Sequence, residues 1–466
     1  MYILGISSFY HDSAACIIKN SNIIAASQEE RFTRIKHDSG FPTNSVKFCL
    51  SYASIDIEDV DYIVFYEKPI VKFERLIETY LAFAPKGFKS FFLSLPVWVK
   101  EKIFQKKLIE DHLKVFLKNK RFSLKKKILF SDHHSSHAAS AFFPSPFKKS
   151  AILTMDGVGE WVTTSISEGE GNKIKLIKEI NFPHSLGLLY SSFTYYLGFK
   201  VNSGEYKVMG LAPYGNPKYA DLIRNNLIDI KDDGSFKLDM SYFNYCTGLT
   251  MTNKKFNNLF NGPPRKSDSK IAQKEMDLAA SIQKVVEEIV VKIADNIVKT
   301  TGHDNLCLAG GVALNCVING ILVKKKIFNN IWIQPAAGDA GGALGAALNA
   351  YYLITKSKRN LIDLNDKMQG SYLGPNYSND QIKKELNNLN AKFKLLNNDE
   401  IINQTAIELS NGSAVGWMNG RMEFGPRALG SRSILADPRS EKMQKNLNLK
   451  VKFRESFRPF APSILE

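Results

Sequence analysis

Tyr2-Ile3-Leu4-Gly5-Ile6-Ser7 opens the chain as a short apolar run, and Ala14–Ile18 and Asn22–Ala26 follow it. The turns between them are Phe9-Tyr10-His11-Asp12-Ser13 and Lys19-Asn20-Ser21. Runs of this length, bounded by turn residues, read as three consecutive β-strands. The pattern returns at Ala151-Ile152-Leu153-Thr154-Met155, where the turn Asp156-Gly157-Val158-Gly159 leads into strands at Trp161–Ser165 and Lys173–Ile180. One strand-turn-strand-strand unit met twice predicts an internally duplicated α/β domain.

Further along, Asn305–Ala309 reads as a buried strand leading into Gly310-Gly311-Val312-Ala313-Leu314-Asn315 and a helical run. Ile331–Gln334 is another strand, followed by Ala337-Gly338-Asp339-Ala340-Gly341-Gly342 and an Ala/Leu-rich helix to Leu353. Strand, glycine turn and helix bring backbone N–H groups and a helix N-terminus against phosphate. The expected architecture is a large duplicated ribonuclease-H-like domain of the actin/sugar-kinase type, over residues 1–355, whose halves enclose a nucleotide. The polar stretch 356–368 is expected to be a linker. Residues 369–466 form a smaller α/β domain with a helix at Asp380–Leu389 and a strand at Ser413–Met418.

The 466 residues are 44% hydrophobic and 23% charged, values that exclude a disordered or collagen-like chain and give length for two or three domains. Lys and Arg exceed Asp and Glu by 16, and the segment Lys68–Lys127, with 16 basic and 5 acidic residues, holds +11 of that excess. With helix-like spacing in Val99–Lys118, the segment reads as a Lys-rich solvated face; attraction of an anionic substrate or membrane is the sharper alternative. Lys predominates over Arg without aromatic interleaving, so specific nucleic-acid binding is not expected. Cys16, Cys49, Cys246, Cys307 and Cys316 are scattered, with no C-x-x-C pair, which excludes a zinc knuckle and a disulfide framework. The apolar stretch Phe91–Val99 is broken by Ser94 and Pro96, far short of the roughly 20 residues of a membrane span. Met1-Tyr2-Ile3-Leu4-Gly5 lacks the basic start of a signal peptide. A soluble, cytoplasmic chain is expected.

Three stretches carry candidate chemistry. In Asp132-His133-His134-Ser135-Ser136-His137, an Asp132 cap starts a helix on which His133 and His137, at i and i+4, leave the same face. Two such imidazoles can chelate a divalent metal, and Asp156 and Asp339, each in a glycine-containing turn after a strand, could add hard oxygens. A polar helix start and plain Asp-Gly turns are the rival reading. Gly416–Arg432 sets Arg421, Arg427 and Arg432 among glycines and a proline, and Lys452–Phe460 adds Arg454 and Arg458. Such arginines suit bidentate capture of an oxyanion, against surface salt bridges as the alternative. Ser203–Gly215 packs acid, cation and glycine tightly and by itself decides nothing. No Walker loop, Gly-x-Ser-x-Gly elbow or dinucleotide fingerprint opens a strand-helix unit.

Together these motifs resemble the NodU/CmcH family of carbamoyltransferases, in family order and over essentially the whole chain. They are Ile3-Leu4-Gly5 with Tyr10–Ala15, Glu29–Arg34 with Lys36-His37, His133–Phe142 with Pro144–Phe147, and Met155–Trp161. Phe182–Gly187, Gly204–Gly215, Gly310–Asn315, Gly338–Gly342, and Gly425–Gly430 through Arg458–Pro462 complete the series. The resemblance implies an actin-like large domain and a smaller YrdC-like domain. It implies a reaction in which carbamoyl phosphate and ATP give carbamoyl-adenylate and pyrophosphate, the carbamoyl group then passing to an acceptor hydroxyl on a sugar or natural product. His133, His137, Asp156 and Asp339 would hold Fe(II) or a similar divalent ion, and Gly310, Gly311 and Asn315 would border the nucleotide. His11 and Lys36 would sit beside the transferring carbamoyl group, with His11 a base for the hydroxyl. Arg427 and Arg458, with Arg421 and Arg432 as further candidates, would hold carbamoyl phosphate.

Family members continue past the Arg458–Pro462 motif, whereas this chain ends at Glu466, so the smaller domain is expected to be truncated. Two alternatives stand beside the O-carbamoyltransferase reading: a tRNA threonylcarbamoyl transferase, and a degenerate nucleotide-binding scaffold. The acceptor is not legible, and self-association into a homo-oligomer is left open.

Overall fold

β1 (Tyr2–Ser7) runs through the middle of a five-stranded sheet, and five of its six residues are buried. A strand covered on both faces reads as a continuous apolar run. β2 (Ala14–Lys19) and β3 (Asn22–Gln28) continue the sheet antiparallel on one side. β4 (Tyr62–Phe65) and β5 (Ile128–Phe130) join it parallel on the other, giving the order β3-β2-β1-β4-β5. The structure, a computed structural model, describes residues 1–361 and 366–465.

The second sheet repeats the first. β6 (Lys149–Met155) is central, with β7 (Val162–Glu170) and β8 (Lys173–Asn181) antiparallel to one side. After a small hairpin of β9 (Ile228–Ile230) and β10 (Phe236–Leu238), β11 (Asn305–Ala309) and β12 (Asn330–Ile333) join parallel on the other side. The order β8-β7-β6-β11-β12 matches β3-β2-β1-β4-β5 in both sequence and sense. That is the duplicated ribonuclease-H-like domain expected from the two hairpin patterns. β7 runs five residues beyond the expected Ser165, because its edge partner β8 carries a lysine-rich, exposed alternation that still pairs along its length.

Register sets the site. Ala309 pairs with Thr154, so β6 and β11 end side by side and deliver Asp156 and Gly310 to one sheet edge. The helix Asp339–Thr355, almost wholly buried and rich in Ala and Gly, packs on β1 and on the helix His133–Phe142. Its small residues permit backbone contact: a Cβ on Gly345 would stand 1.7 Å from the Ser136 carbonyl oxygen. This close crossing brings Asp339 to the two histidines.

The contact pattern divides the chain into two compact units, Met1–Met368 and Gln369–Glu466. Within the stretch 356–368, residues 362–365 lie outside the described residues. Arg359 donates to the carbonyls of Phe142, Phe143, Ser145 and Phe147, and Met368 is buried. The second unit is mixed α/β. β13 (Val415–Met418) pairs antiparallel with β14 (Arg432–Leu435), beside capped helices at Asn379–Asn388 and Asn398–Ser410. The position at which the chain ends, Glu466, lies outside the described residues.

One expectation needs correction. Lys107, Lys114 and Lys118 are solvated as the Lys-rich reading of 68–127 requires, but Lys72, Arg75 and Lys102 are buried. The cause is Glu67, a fully buried carboxylate that takes Lys72 at 2.5 Å and Lys102 at 2.9 Å. A buried charge demands such partners. Among the described residues, no helix is long and apolar enough to cross a membrane.

Candidate active site

Asp132 stands in extended conformation and accepts the Ser135 N–H at 2.9 Å, starting the His133–Phe142 helix as an N-cap does. The next turn aims both ring edges the same way: His133 Nε2 and His137 Nε2 are 3.1 Å apart. Asp156 Oδ2 lies 3.0 Å from His133 Nε2 and 3.6 Å from His137 Nε2; Asp339 Oδ1 lies 3.8 and 3.6 Å from the same atoms. One strand end and two helices thus focus four donor atoms within 4.8 Å of one another, with both rings and Asp339 buried.

Both aspartates are braced. Asp156 Oδ1 accepts the Gly311 N–H at 3.0 Å, and the Ser185 hydroxyl donates to the carbonyls of Asp156 and Gly157. Tyr66 donates to Asp339 Oδ2 at 3.4 Å, and the His133 N–H points at the Glu160 carboxylate. Burial disfavours charge on His137, but hydrogen bonds to Asp156 and Asp339 outweigh it and push the ring up to about 9. Burial likewise works against the Asp156 carboxylate, and His133 and His137 reverse this to hold it well below the usual range. His134 differs: burial, then the neighbouring rings, lower it, and its Nδ1 sits 2.7 Å from Thr154 Oγ1. It is a neutral core histidine.

A divalent cation fits this set. Two nitrogens facing each other at 3.1 Å need a proton or a cation between them. Two imidazoles with two carboxylates make a complete donor shell for a first-row metal. Among the described residues, Nδ1 of His133 and of His137 has no partner, so a cation at Nε2 would set the tautomer of both rings.

His11 reaches the same cluster from the loop after β1, its Nε2 3.7 Å from Asp339 Oδ2. Its Nδ1 lies 2.9 Å from Asp12 Oδ2, while His37 Nδ1 lies 2.8 Å from Asp12 Oδ1, so one carboxylate orients two rings. Burial opposes charge on His11, yet Asp339 and then Asp12 raise it to about 9. Glu30 accepts the His37 N–H at 2.8 Å and closes the turn. Lys36, exposed, hydrogen-bonds the Tyr206 hydroxyl and lies 4.6 Å over its ring. This is how the Ser203–Gly215 loop, undecided from sequence, meets the site.

Gly310 adopts φ 89°, where a side chain is strained, and a Cβ there would stand 2.2 Å from the Met155 carbonyl oxygen. Gly311 is tied to Asp156 as described. Asn315 caps the Cys316–Lys325 helix through the Ile318 N–H and gives its amide to Gln283 at 2.9 Å. The glycine turn therefore abuts the donor cluster, while the Asn315 side chain is committed to the cap.

In the second unit, Arg421 donates to the carbonyls of Leu373 and Gly374, and Arg432 to those of Asn419, Gly420, Ser431 and Pro375. Both brace the loop. Arg427 is exposed; Arg458 is buried, with Glu455 at 3.5 Å. Sequence reasoning had not singled out Tyr66, Glu67, Glu160 or the bridging role of Asp12. Asp12 and Glu160 lay inside quoted motifs, but Tyr66 and Glu67 merely follow a strand and carry no spacing signal.

Residues 2–348 match the family model for the carbamoyltransferase N-terminus and residues 406–466 that for the carbamoyltransferase C-terminus. An uncharacterized protein of Synechocystis sp. is 57% identical over 466 residues, covering 100% of this chain and 75% of that one. Nodulation protein NolNO of Sinorhizobium fredii is 36% identical over 464 residues, 99% of this chain and 63% of its own. Nodulation protein NolO of Bradyrhizobium diazoefficiens is 39% identical over 339 residues, 72% of this chain and 58% of its own. The chain thus spans less than two thirds of either nodulation protein. With both family models matched in order and most of its length covered, this chain belongs to the carbamoyltransferase family.

Proposed function

We propose that the chain uses water to release carbamate and phosphate from carbamoyl phosphate, joins the carbamate to the AMP part of ATP as carbamoyl-adenylate with loss of pyrophosphate, and passes the carbamoyl group to the hydroxyl of a small-molecule acceptor, a sugar, glycan or secondary metabolite. The observation carrying this reading is the four-donor cluster abutting the Gly310-Gly311 turn. Metal-type ligands and a phosphate-type turn at one sheet edge suit an adenylate.

His133, His137, Asp156 and Asp339 would hold Fe(II) or a similar divalent ion, which supplies charge neutralisation at phosphate. Gly310 and Gly311 let the nucleotide approach the backbone closely. Arg427 and Arg458 would take carbamoyl phosphate, with Arg421 and Arg432 shaping the loop that presents Arg427. A carbamate is a weak electrophile, and joining it to AMP supplies a good leaving group. The acceptor hydroxyl then attacks the carbamoyl carbon and AMP departs with the bonding pair. The hydroxyl proton passes to His11 in its neutral form, the ring that Asp12 orients; a cation held at Asp339 would offset the carboxylate charge that raises this ring and so favour that form. Lys36, held by Tyr206, flanks the carbamoyl oxygen.

Anaerobic incubation of the chain with Fe(II), ATP and labelled carbamoyl phosphate, followed by mass spectrometry, tests this. Labelled carbamoyl-adenylate is expected. ATP binding without adenylate would remove activation from this chain, and no ATP binding would refute the nucleotide site.

A further inference from the structure

The reaction above leaves unused the outer face of the basic segment. The helix Pro69–Phe83 is built inside out. It buries Lys72, Arg75 and Thr79 and turns Ile70 and Leu81 to solvent at 68% and 71% exposure. Glu67 explains the inner face, since it draws Lys72 inward, and Arg75 donates to the Gly159 carbonyl at 3.1 Å. Among the described residues, nothing covers the outer one. The helix Phe88–Trp98 continues the pattern: Ser90 is buried and hydrogen-bonded to the Gly87 carbonyl, while Phe88, Phe92 and Leu93 are 72%, 69% and 58% exposed. Phe88 and Phe92 stack one turn apart with ring centroids at 6.4 Å. Lys86 and Lys89, both exposed, flank them. Contiguous exposed apolar residues of this size mark an interaction surface.

Charge selects the occupant. Apart from the buried Lys72, Arg75 and Lys102, the segment Lys68–Lys127 still holds 13 cations against 5 acids, so a second copy would set that charge against itself. A surface of anionic phosphates complements it, and an aromatic face with flanking lysines matches the headgroup–acyl boundary of a bilayer. The 11-residue helix Phe88–Trp98 is too short to span, so the contact lies along the surface. Exposed Glu74 and Glu78 keep the middle of the first helix off the headgroups and centre the contact on the second.

We propose that the face formed by Phe88, Phe92 and Leu93, with Leu81, Lys86 and Lys89, docks the protein peripherally on an anionic lipid bilayer. This goes beyond the proposed reaction and does not depend on it. The test is sedimentation of the full chain with vesicles of phosphatidylcholine containing phosphatidylglycerol, against phosphatidylcholine alone. Partition onto the anionic vesicles, weakened by salt, is expected. F88S/F92S should lower it by about tenfold or more, as loss of two interfacial aromatic anchors requires, and K86E/K89E should lower it as well. These residues are exposed, so the variants keep the fold, and adenylate formation in solution should not change. No partition onto anionic vesicles, or partition indifferent to F88S/F92S, overturns the proposal. So does a dimer in light scattering that F88S/F92S dissociates, which would assign the face to a second copy.

Discussion

The His133/His137 cluster and the arginine loop Gly416–Arg432 are both candidate ligand sites by sequence, and they are built in opposite ways. In the first, four donor atoms converge, the outward oxygens of both aspartates are braced, and the two Nε2 nitrogens face each other across 3.1 Å. In the second, Arg421 and Arg432 already spend their guanidinium protons on backbone carbonyls. Donors left facing one another are a cost that a ligand relieves, whereas donors already satisfied contribute to the fold whether or not a ligand arrives. A motif rich in ligand-type residues therefore says little until the structure shows which of them are committed.

The sharpest way to break the comparison is His133→Ala. Four donors sharing the roughly 10–16 kcal/mol typical of a structural zinc site put about 3 kcal/mol on each, or about a 100-fold loss of affinity. Metal content after purification should fall to background and carbamoyl transfer with it. Unchanged metal content would show that the facing nitrogens share a proton, not a cation.

Next in size is Glu67→Gln, which probes the committed kind of charge inside the large unit. Removing one partner of a buried pair leaves Lys72 and Lys102 uncompensated and costs roughly 3 kcal/mol at neutral pH, measured by denaturant unfolding. The pH dependence has a definite sign. Burial raises the Glu67 carboxyl, but Lys72 and Lys102 lower it to about 2, from an ordinary 4.5. Its stabilisation is therefore full above pH 4.5 and lost as pH falls towards 2. The gap between wild type and Glu67→Gln should narrow over that window. A gap that stays constant would mean the carboxylate is not what holds the two lysines.

What the sequence showed and hid follows the same physics. β1 and β6 were legible because central strands buried on both faces have no polar positions to confuse the pattern, and β11 was read at its observed bounds, Asn305–Ala309. His133 and His137 were legible because i and i+4 share a helix face. The inside-out helix Pro69–Phe83 was not. Periodicity tells which residues share a face, but only Glu67, three residues before Ile70 and buried, decides that the cationic face is the inner one. Tyr66, donating to Asp339 across 273 residues of chain, belongs to the same class: a long-range contact with no local signature.

Smaller effects sharpen the other side of the comparison. Arg421→Ala and Arg432→Ala should each cost roughly 1–2 kcal/mol of stability, since each strands carbonyls it now satisfies. Arg421 loses its bonds to Leu373 and Gly374; Arg432 loses those to Asn419, Gly420 and Ser431. Any loss of carbamoyl phosphate binding should be no larger than this loosening of the loop explains. Lysine at either position should rescue little, because one ammonium cannot reach several carbonyls in a plane.

Arg427→Ala is the finest discriminator because its side chain is exposed. Exposed truncations of this kind stay within about 0.5 kcal/mol in stability, so unfolding should not change measurably. If Arg427 holds the phosphate of carbamoyl phosphate, KM for that substrate should still rise about tenfold, the worth of one charge-assisted contact. The kcat at saturation should stay within about twofold, since binding away from the reacting bond is uniform. Guanidinium ion added in solution should recover part of the loss. The pairing of unchanged stability with a raised KM would separate Arg427 from Arg421 and Arg432 and divide one arginine-rich loop into a ligand contact and its frame. Equal stability loss in all three variants would make the whole loop structural and move the carbamoyl phosphate contact to Arg458, whose guanidinium is buried near Glu455.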